Sequence, residues 1–124
     1  MLTSARLQTL VRTSDVARAG AFYGGVLGLT PAGTSHGALV YAVGGGELRV
    51  SPVPETRPSE HTVLGFAVED VGAVAEALAA KGVVAERFEG FAHDPRGVWT
   101  APDGTQVVWF RDPDGNLLSA VRYG

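Results

Sequence analysis

The chain has 124 residues, enough for one domain with a single core, and its 45% hydrophobic and 19% charged content is ordinary for a globular protein. A formal charge of −3 argues against a nucleic-acid or anionic-membrane surface, so neither is expected as a partner. The absence of cysteine removes disulfides, thiolate nucleophiles, iron–sulfur clusters and Cys-type zinc sites.

The N-terminal MLTSARLQTLVRT lacks the uninterrupted apolar core of a signal peptide. No apolar run approaches the roughly 18–20 residues that span a bilayer, and a cytoplasmic location is expected. Leu7 to Thr13 mixes apolar, polar and β-branched residues and reads as a strand. SDVARAGAFYGGVLG then reads as a helix: Ser14 or Asp15 caps it, Val16, Ala19, Phe22 or Tyr23, Val26 and Leu27 form one apolar stripe, and Gly28 stops it. Gly20, Gly24 and Gly25 each cost about 1 kcal/mol of helix propensity relative to alanine, which close packing on a sheet would offset. GALVYAV, a turn at Gly44-Gly45-Gly46, and ELRVSP follow as hairpin strands.

PVPETRPSEH, with three prolines, is a linker, and beyond it the pattern recurs. HTVLGFAVED reads as a strand and DVGAVAEALAAKG as a helix, with Asp70 as cap, Val71, Val74 and Leu78 as stripe and Gly82 as stop. The strands VVAERFEG, TQVVWFRD and NLLSAVRY complete the second half. The turn Asp112-Pro113-Asp114-Gly115 joins the last two, with Gly115 at positive φ. FAHDPRGVWTAPDG is an insertion without an equally long counterpart in the first half. The expected architecture is α+β: two tandem βαβββ modules, about 5–53 and 61–123 around a linker at 54–60, in one domain over 1–124. Neither module has core enough to stand alone, so the sheets are expected to join as a curved mixed sheet with helices outside and a concave inner face for a ligand.

Three segments, RTSDVARAGAFYGGVLGL, GFAVEDVGAVAEALAAKGV and VVWFRDPDGNLLSAV, resemble the vicinal oxygen chelate superfamily, which groups glyoxalase I, bleomycin-resistance proteins and extradiol dioxygenases. The resemblance implies a metal-ligand position on the first and last strand of each module. Carried over residue by residue, these fall on Gln8, approximately Val50, Val63 and Ser119, the last where the enzymes carry Glu. A divalent metal that handles an enediolate or catecholate wants several anionic or imidazole ligands. Glutamine is a weak neutral donor, valine has none, and serine seldom binds a metal alone. The expectation is therefore no metal and no cofactor.

His61 shares a strand face with Val63 and is the one candidate for a displaced ligand set, but beside Glu60 at the end of the linker it reads as a solvated residue. His36 and His93 read as loop residues facing water. Glu89 and His93 have helical i, i+4 spacing in a stretch that does not read as helix. Asp94, Arg96 and Asp103 read as turn residues. Arg12 shares the parity of Gln8 and Leu10, so it either faces the concave side or snorkels at the strand end. Phe88, Phe91, Trp99, Trp109 and Phe110 cluster in the second half. Trp109 and Phe110 point to opposite faces of one strand, so one of them looks into the cleft, and Trp99 could cover a planar ligand. GGGE at Gly44 to Glu47 lies in a hairpin and is no phosphate loop.

The expected function is binding of a small organic molecule in an apolar cleft, after the drug-sequestering resistance proteins, which the chain resembles in lacking metal ligands. Leu10, Leu48, Val50, Val63, Trp109, Leu117 and Val121 are expected to line the cleft, Gln8, Arg12 and Ser119 to orient the ligand, and Trp99 to cover it. Those proteins form dimers, so a homodimer is expected, and no catalytic residue is assigned. The alternatives are a glyoxalase- or dioxygenase-type enzyme with displaced ligands, and a regulatory or partner-binding module.

Overall fold

Two aspartates start the two helices in the same way. Asp15 and Asp70 are both extended, and their carboxylates accept from the amides of Arg18 and Ala73, three residues on, at 3.0 Å each. Each satisfies one of the donors that a helix start leaves without an intrahelical partner. In the computed structural model, which describes residues 1–124, the chain folds as two compact units, Met1–Arg57 and Pro58–Gly124.

The first unit runs β1 (Gln8–Thr13), α1 (Val16–Gly20), a π-helical turn (Ala21–Val26), β2 (Thr30–Ser35), β3 (Ala38–Val43) and β4 (Gly46–Pro52). Its sheet has the order β1-β4-β3-β2, with β1 parallel to β4 and the other pairs antiparallel. The π-helical turn was not anticipated: Leu27 donates to the Phe22 carbonyl five residues back, which puts the adjacent rings of Phe22 and Tyr23 both into the core. Two of the three helix glycines, Gly20 and Gly24, face the sheet, whereas a Cβ at Gly25 would meet nothing. A Cβ at Gly20 would lie 3.3 Å from Leu39 Cδ1, and one at Gly24 would lie 3.6 Å from the Tyr41 hydroxyl. Gly28, at φ 68°, ends the segment as expected.

The second unit repeats the plan. Strand β5 (Leu64–Ala67) leads into α2 (Val71–Ala80), followed by β6 (Trp99–Thr100), β7 (Gln106–Arg111) and β8 (Leu117–Arg122). The order is β5-β8-β7-β6, again with the first strand parallel to the last. Helix α2 covers one face: Val71 and Ala75 pack with Val98, Val108 and Ala120. Alternation along β7 and β8 sends Phe110 and Leu118 to this same side, which leaves Val107, Trp109, Ser119 and Val121 for the other.

Three strand assignments change. Thr30–Ser35 pairs as β2 despite Pro31 and Gly33, because a register shift between those residues takes up the irregularity. Val83–Gly90 is not a strand: Glu86 alone bridges to Trp109, and the amide of Phe88 is spent on the His93 ring instead of a neighbouring strand. The short β6 lies inside the insertion FAHDPRGVWTAPDG, where no strand is anticipated. The Asp112–Gly115 turn is as expected, with Gly115 at φ 87° and the buried Asp112 carboxylate accepting from the amides of Asp114 and Asn116 and the Asn116 side chain.

A candidate ligand cleft on the second sheet

The strand register lays the open face of the second sheet out in rungs. Gly65, Ser119 and Trp109 stand side by side on β5, β8 and β7, and the next rung is Ala67, Val121, Val107 and Trp99. Directly opposed residues bring their Cβ atoms to about 4.5–5.5 Å, so the Ser119 hydroxyl lies beside the root of the Trp109 ring. The absence of a side chain at Gly65 is what leaves room there, since a Cβ would come to 3.3 Å of Ser119 Oγ. Together with Thr62, Thr105 and Tyr123, the residues of these rungs other than Trp99 line a cleft of about 420 Å³. The volume suits a small organic molecule.

One wall of the cleft is aromatic. The Trp109 ring is met by four others: Phe88 at 5.4 Å, Phe91 at 5.7 Å, and His93 and Trp99 each at 6.0 Å between centroids. Phe91 also meets Trp99 edge to face at 4.9 Å. Such pairs each contribute about 0.5–1.5 kcal/mol beyond area burial, and several on one ring fix its orientation.

His93 holds this wall by its backbone. Its Nε2 accepts from the Phe88 amide at 3.0 Å, while Nδ1 donates to the Gly97 carbonyl at 2.8 Å. An amide can only donate and a carbonyl only accept, so the ring is the neutral Nδ1–H tautomer with both nitrogens engaged. It is therefore a strut and neither a ligand nor a base. Asp94 closes the next turn by accepting from the amides of Arg96 and Val98 and pairing with the Arg96 guanidinium at 2.8 Å. Burial pushes the Asp94 carboxyl up, but the Arg96 side chain and the two amides outweigh that and hold it below the usual carboxylate range. Arg96 in turn reaches Glu76 on α2 at 3.8 Å, tying the insertion to the helix.

The other anticipated residues separate. Trp109, Ser119 and Val121 line the cleft, and Trp99 buttresses it. Leu117 shares their strand face but is buried beyond the lining residues. Val63 is 41% exposed, with its amide bonded to the Leu117 carbonyl. The expectation that Leu48 and Val50 line an open face fails: they are 2% and 0% exposed. They stand opposite Tyr41 and Leu39, the residues against which α1 and the π-helical turn pack. The outward positions on β4 are Glu47, Arg49 and Ser51, one register step away, and a single step turns every side chain to the other face.

On that outward face of the first unit lie Gln8, Leu10 and Arg12, all exposed. Gln8 Nε2 donates to Glu47 at 3.0 Å, and Arg6 and Arg49 flank the same carboxylate at 3.0 and 3.6 Å. The Gln8 hydrogen bond, with the Arg6 and Arg49 charges behind it, holds Glu47 below the usual carboxylate range against the opposing effect of desolvation. Arg49 also donates to the Ser35 carbonyl. His61 is exposed, with its amide on the Ser59 hydroxyl, and His36 sits in the β2–β3 turn at φ 52° beside that same Ser35. Asp103 accepts from the Thr105 amide and caps a turn.

Two units that each run a first strand through an aspartate-capped helix to a parallel last strand define a doubled α+β fold. The sequence profile of the Glyoxalase/Bleomycin resistance protein/Dioxygenase superfamily matches residues 6–119, and the chain belongs to that superfamily. Comparison with curated proteins returns no match. Among solved structures, the chain is similar to a lactoylglutathione lyase from Agrobacterium tumefaciens, at TM-score 0.73 and 21% identity over 96% of this chain and 93% of that one. It is similar also to a glyoxalase/bleomycin resistance protein/dioxygenase from Alicyclobacillus acidocaldarius, at TM-score 0.69 and 17% identity over 97% and 92% of the two chains. A virulence protein from Salmonella typhimurium gives TM-score 0.68 and 20% identity over the whole of both chains. At these identities the likeness shows the fold.

The metal that the superfamily's enzymes hold does not fit the residues present. Gln8 is a neutral amide, Val63 has no donor and Ser119 is a neutral hydroxyl. The fourth position, moved from Val50 to its outward neighbour, is Arg49, a cation. The nearby Glu47 is already claimed by Gln8, Arg6 and Arg49. No three His, Cys, Asp or Glu side chains gather anywhere in the chain as a metal would need. No helix is long and apolar enough to cross a membrane.

Proposed function

We propose that the protein binds a small organic molecule in the cleft of its second sheet, without a metal, and that binding is its activity. The observation that carries this is the rung Gly65–Ser119–Trp109, in which a missing side chain, a hydroxyl and a ring braced by four others lie side by side. Such a set binds and orients, but it offers no general base, nucleophile or Lewis acid for turnover. The drug-sequestering branch of the superfamily supplies the nearest functional pattern, and a homodimer belongs to the same proposal.

A thermal-shift screen of small organic compounds tests it. A true ligand stabilises in a saturable way that follows RT ln(1 + [L]/Kd), about 2.7 kcal/mol at a hundredfold excess over Kd. The stabilisation is lost when Ser119 and Trp109 are replaced together. A screen in which nothing shifts stability, or in which the double variant responds like the parent, would sink the proposal. Sedimentation at micromolar concentration reads the dimer separately.

A further inference from the structure

The chemistry of the cleft narrows the ligand class. None of its nine lining residues is a carboxylate, lysine, arginine or histidine: the polar groups are the hydroxyls of Thr62, Thr105, Ser119 and Tyr123. Alternation along β7 puts one charged side chain, Arg111, on the Trp109 face, and it is spent. Its Nε donates to Glu86 at 3.1 Å and its Nη1 to the Gly115 carbonyl at 2.8 Å. A charged ligand would lose hydration here and find no counter-charge, whereas a neutral one loses little. Thr105 is also occupied, its hydroxyl accepting from the Gly124 amide. The Ser119 hydroxyl lines the cleft on the rung shared with Trp109.

The shape points the same way. The flanking small residues Gly65 and Ala67 keep the β5 side of the cleft low, while Trp109 and Trp99 stand on the other side with ring planes inclined by only 31°. Because Phe88, Phe91 and His93 hold Trp109, its free surface is a stacking platform whose ordering cost is met before a ligand arrives. Granting the proposed ligand-binding role, we infer that the cleft selects a flat, conjugated, uncharged ring compound with one hydrogen-bonding substituent. The ring stacks on Trp109 and the substituent meets the Ser119 hydroxyl.

Three probes of similar size separate flatness from charge by calorimetry: 2-naphthol, naphthalene-2-sulfonate and decahydro-2-naphthol. Since both tryptophans of the chain stand at the cleft, a change in their emission on binding confirms the location. The expected result is that 2-naphthol binds at least tenfold tighter than either of the others. Ser119→Ala weakens 2-naphthol about fivefold, and Trp109→Leu erases the preference over the saturated analogue. Retained circular dichroism confirms that each variant is folded, and the wild-type ratio stands even if Trp109→Leu is not. Equal or tighter binding of the sulfonate or of the saturated alcohol overturns the inference. If charged or aliphatic compounds from the wider screen bind and 2-naphthol does not, the selectivity is wrong and the binding role survives. If no compound of any class binds, both fall.

Discussion

His93 shows how much a single side chain can carry without touching a ligand. With a donor and an acceptor of the backbone both satisfied by its ring, His93→Phe strands the Phe88 amide and the Gly97 carbonyl. The loss is expected at about 1–3 kcal/mol, read by denaturant unfolding, with a weaker near-ultraviolet dichroism signal from the tryptophans. Asp94 makes the same insertion sensitive to acid. Its folded pKa lies below the ordinary value, so its contribution is complete above about pH 4 and is lost as pH falls through the folded value. Tryptophan emission followed from pH 6 to pH 2 should therefore begin to change below about pH 4, and Asp94→Asn should remove that step. A profile unchanged by the substitution would assign the acid transition to other carboxylates. In the sequence His93 reads as a solvated residue of the insertion because its partners are backbone groups, the Phe88 amide and the Gly97 carbonyl, which residue type does not reveal. Its i, i+4 spacing to Glu89 lies in a stretch that does not read as helix, and the i, i+4 relation that matters is to Gly97.

At the scale of elements, features governed by local chemistry were legible and those governed by register were not. Asp70 as a cap, a first cap at Ser14 or Asp15 that falls to Asp15, Gly28, Gly82 and Gly115 at positive φ, and the strand β8 all follow from residue type at a fixed spacing. The opposed faces of Trp109 and Phe110 follow from alternation alone, and the structure puts Trp109 in the cleft and Phe110 in the core. Strand β4 is different: the glycine turn before it leaves the register open by one step, so the strand is right while Leu48 and Val50 are on the wrong side of it. Strand β2 hides behind Pro31 and Gly33, and the π-helical turn hides because a stripe of period 3.6 tolerates either Phe22 or Tyr23. Gly65 is the residue the sequence gives least reason to notice and the cleft most depends on. Gly65→Val is expected to abolish binding of a ligand found in the screen by more than tenfold while leaving stability within about 1 kcal/mol, because β5 is open there and β-branched residues suit a strand. Calorimetry paired with denaturant unfolding checks it, and unchanged affinity would place the ligand elsewhere.

At the scale of the whole molecule, the chain has the doubled plan of its superfamily, and the positions that its metal-dependent enzymes use for ligands carry residues that do not suit a metal. Each unit still runs its first strand parallel to its last through a helix started by an aspartate. The strand positions that would present donors now carry an amide and a guanidinium in one unit and an isopropyl group and a hydroxyl in the other. A guanidinium is a cation with donors and no acceptor, so Arg49 opposes a metal ion. Its pairing with Glu47 also occupies the nearest carboxylate. Protein purified without chelator should therefore hold less than about a tenth of an equivalent of Zn²⁺, Ni²⁺, Mn²⁺ or Fe²⁺ by elemental analysis. Added metal at tenfold excess should leave the melting temperature unmoved, since a cation that binds only weakly adds little through mass action. Stoichiometric metal that disappears in His61→Ala would instead establish a displaced ligand set built on that exposed histidine and restore an enzymatic role.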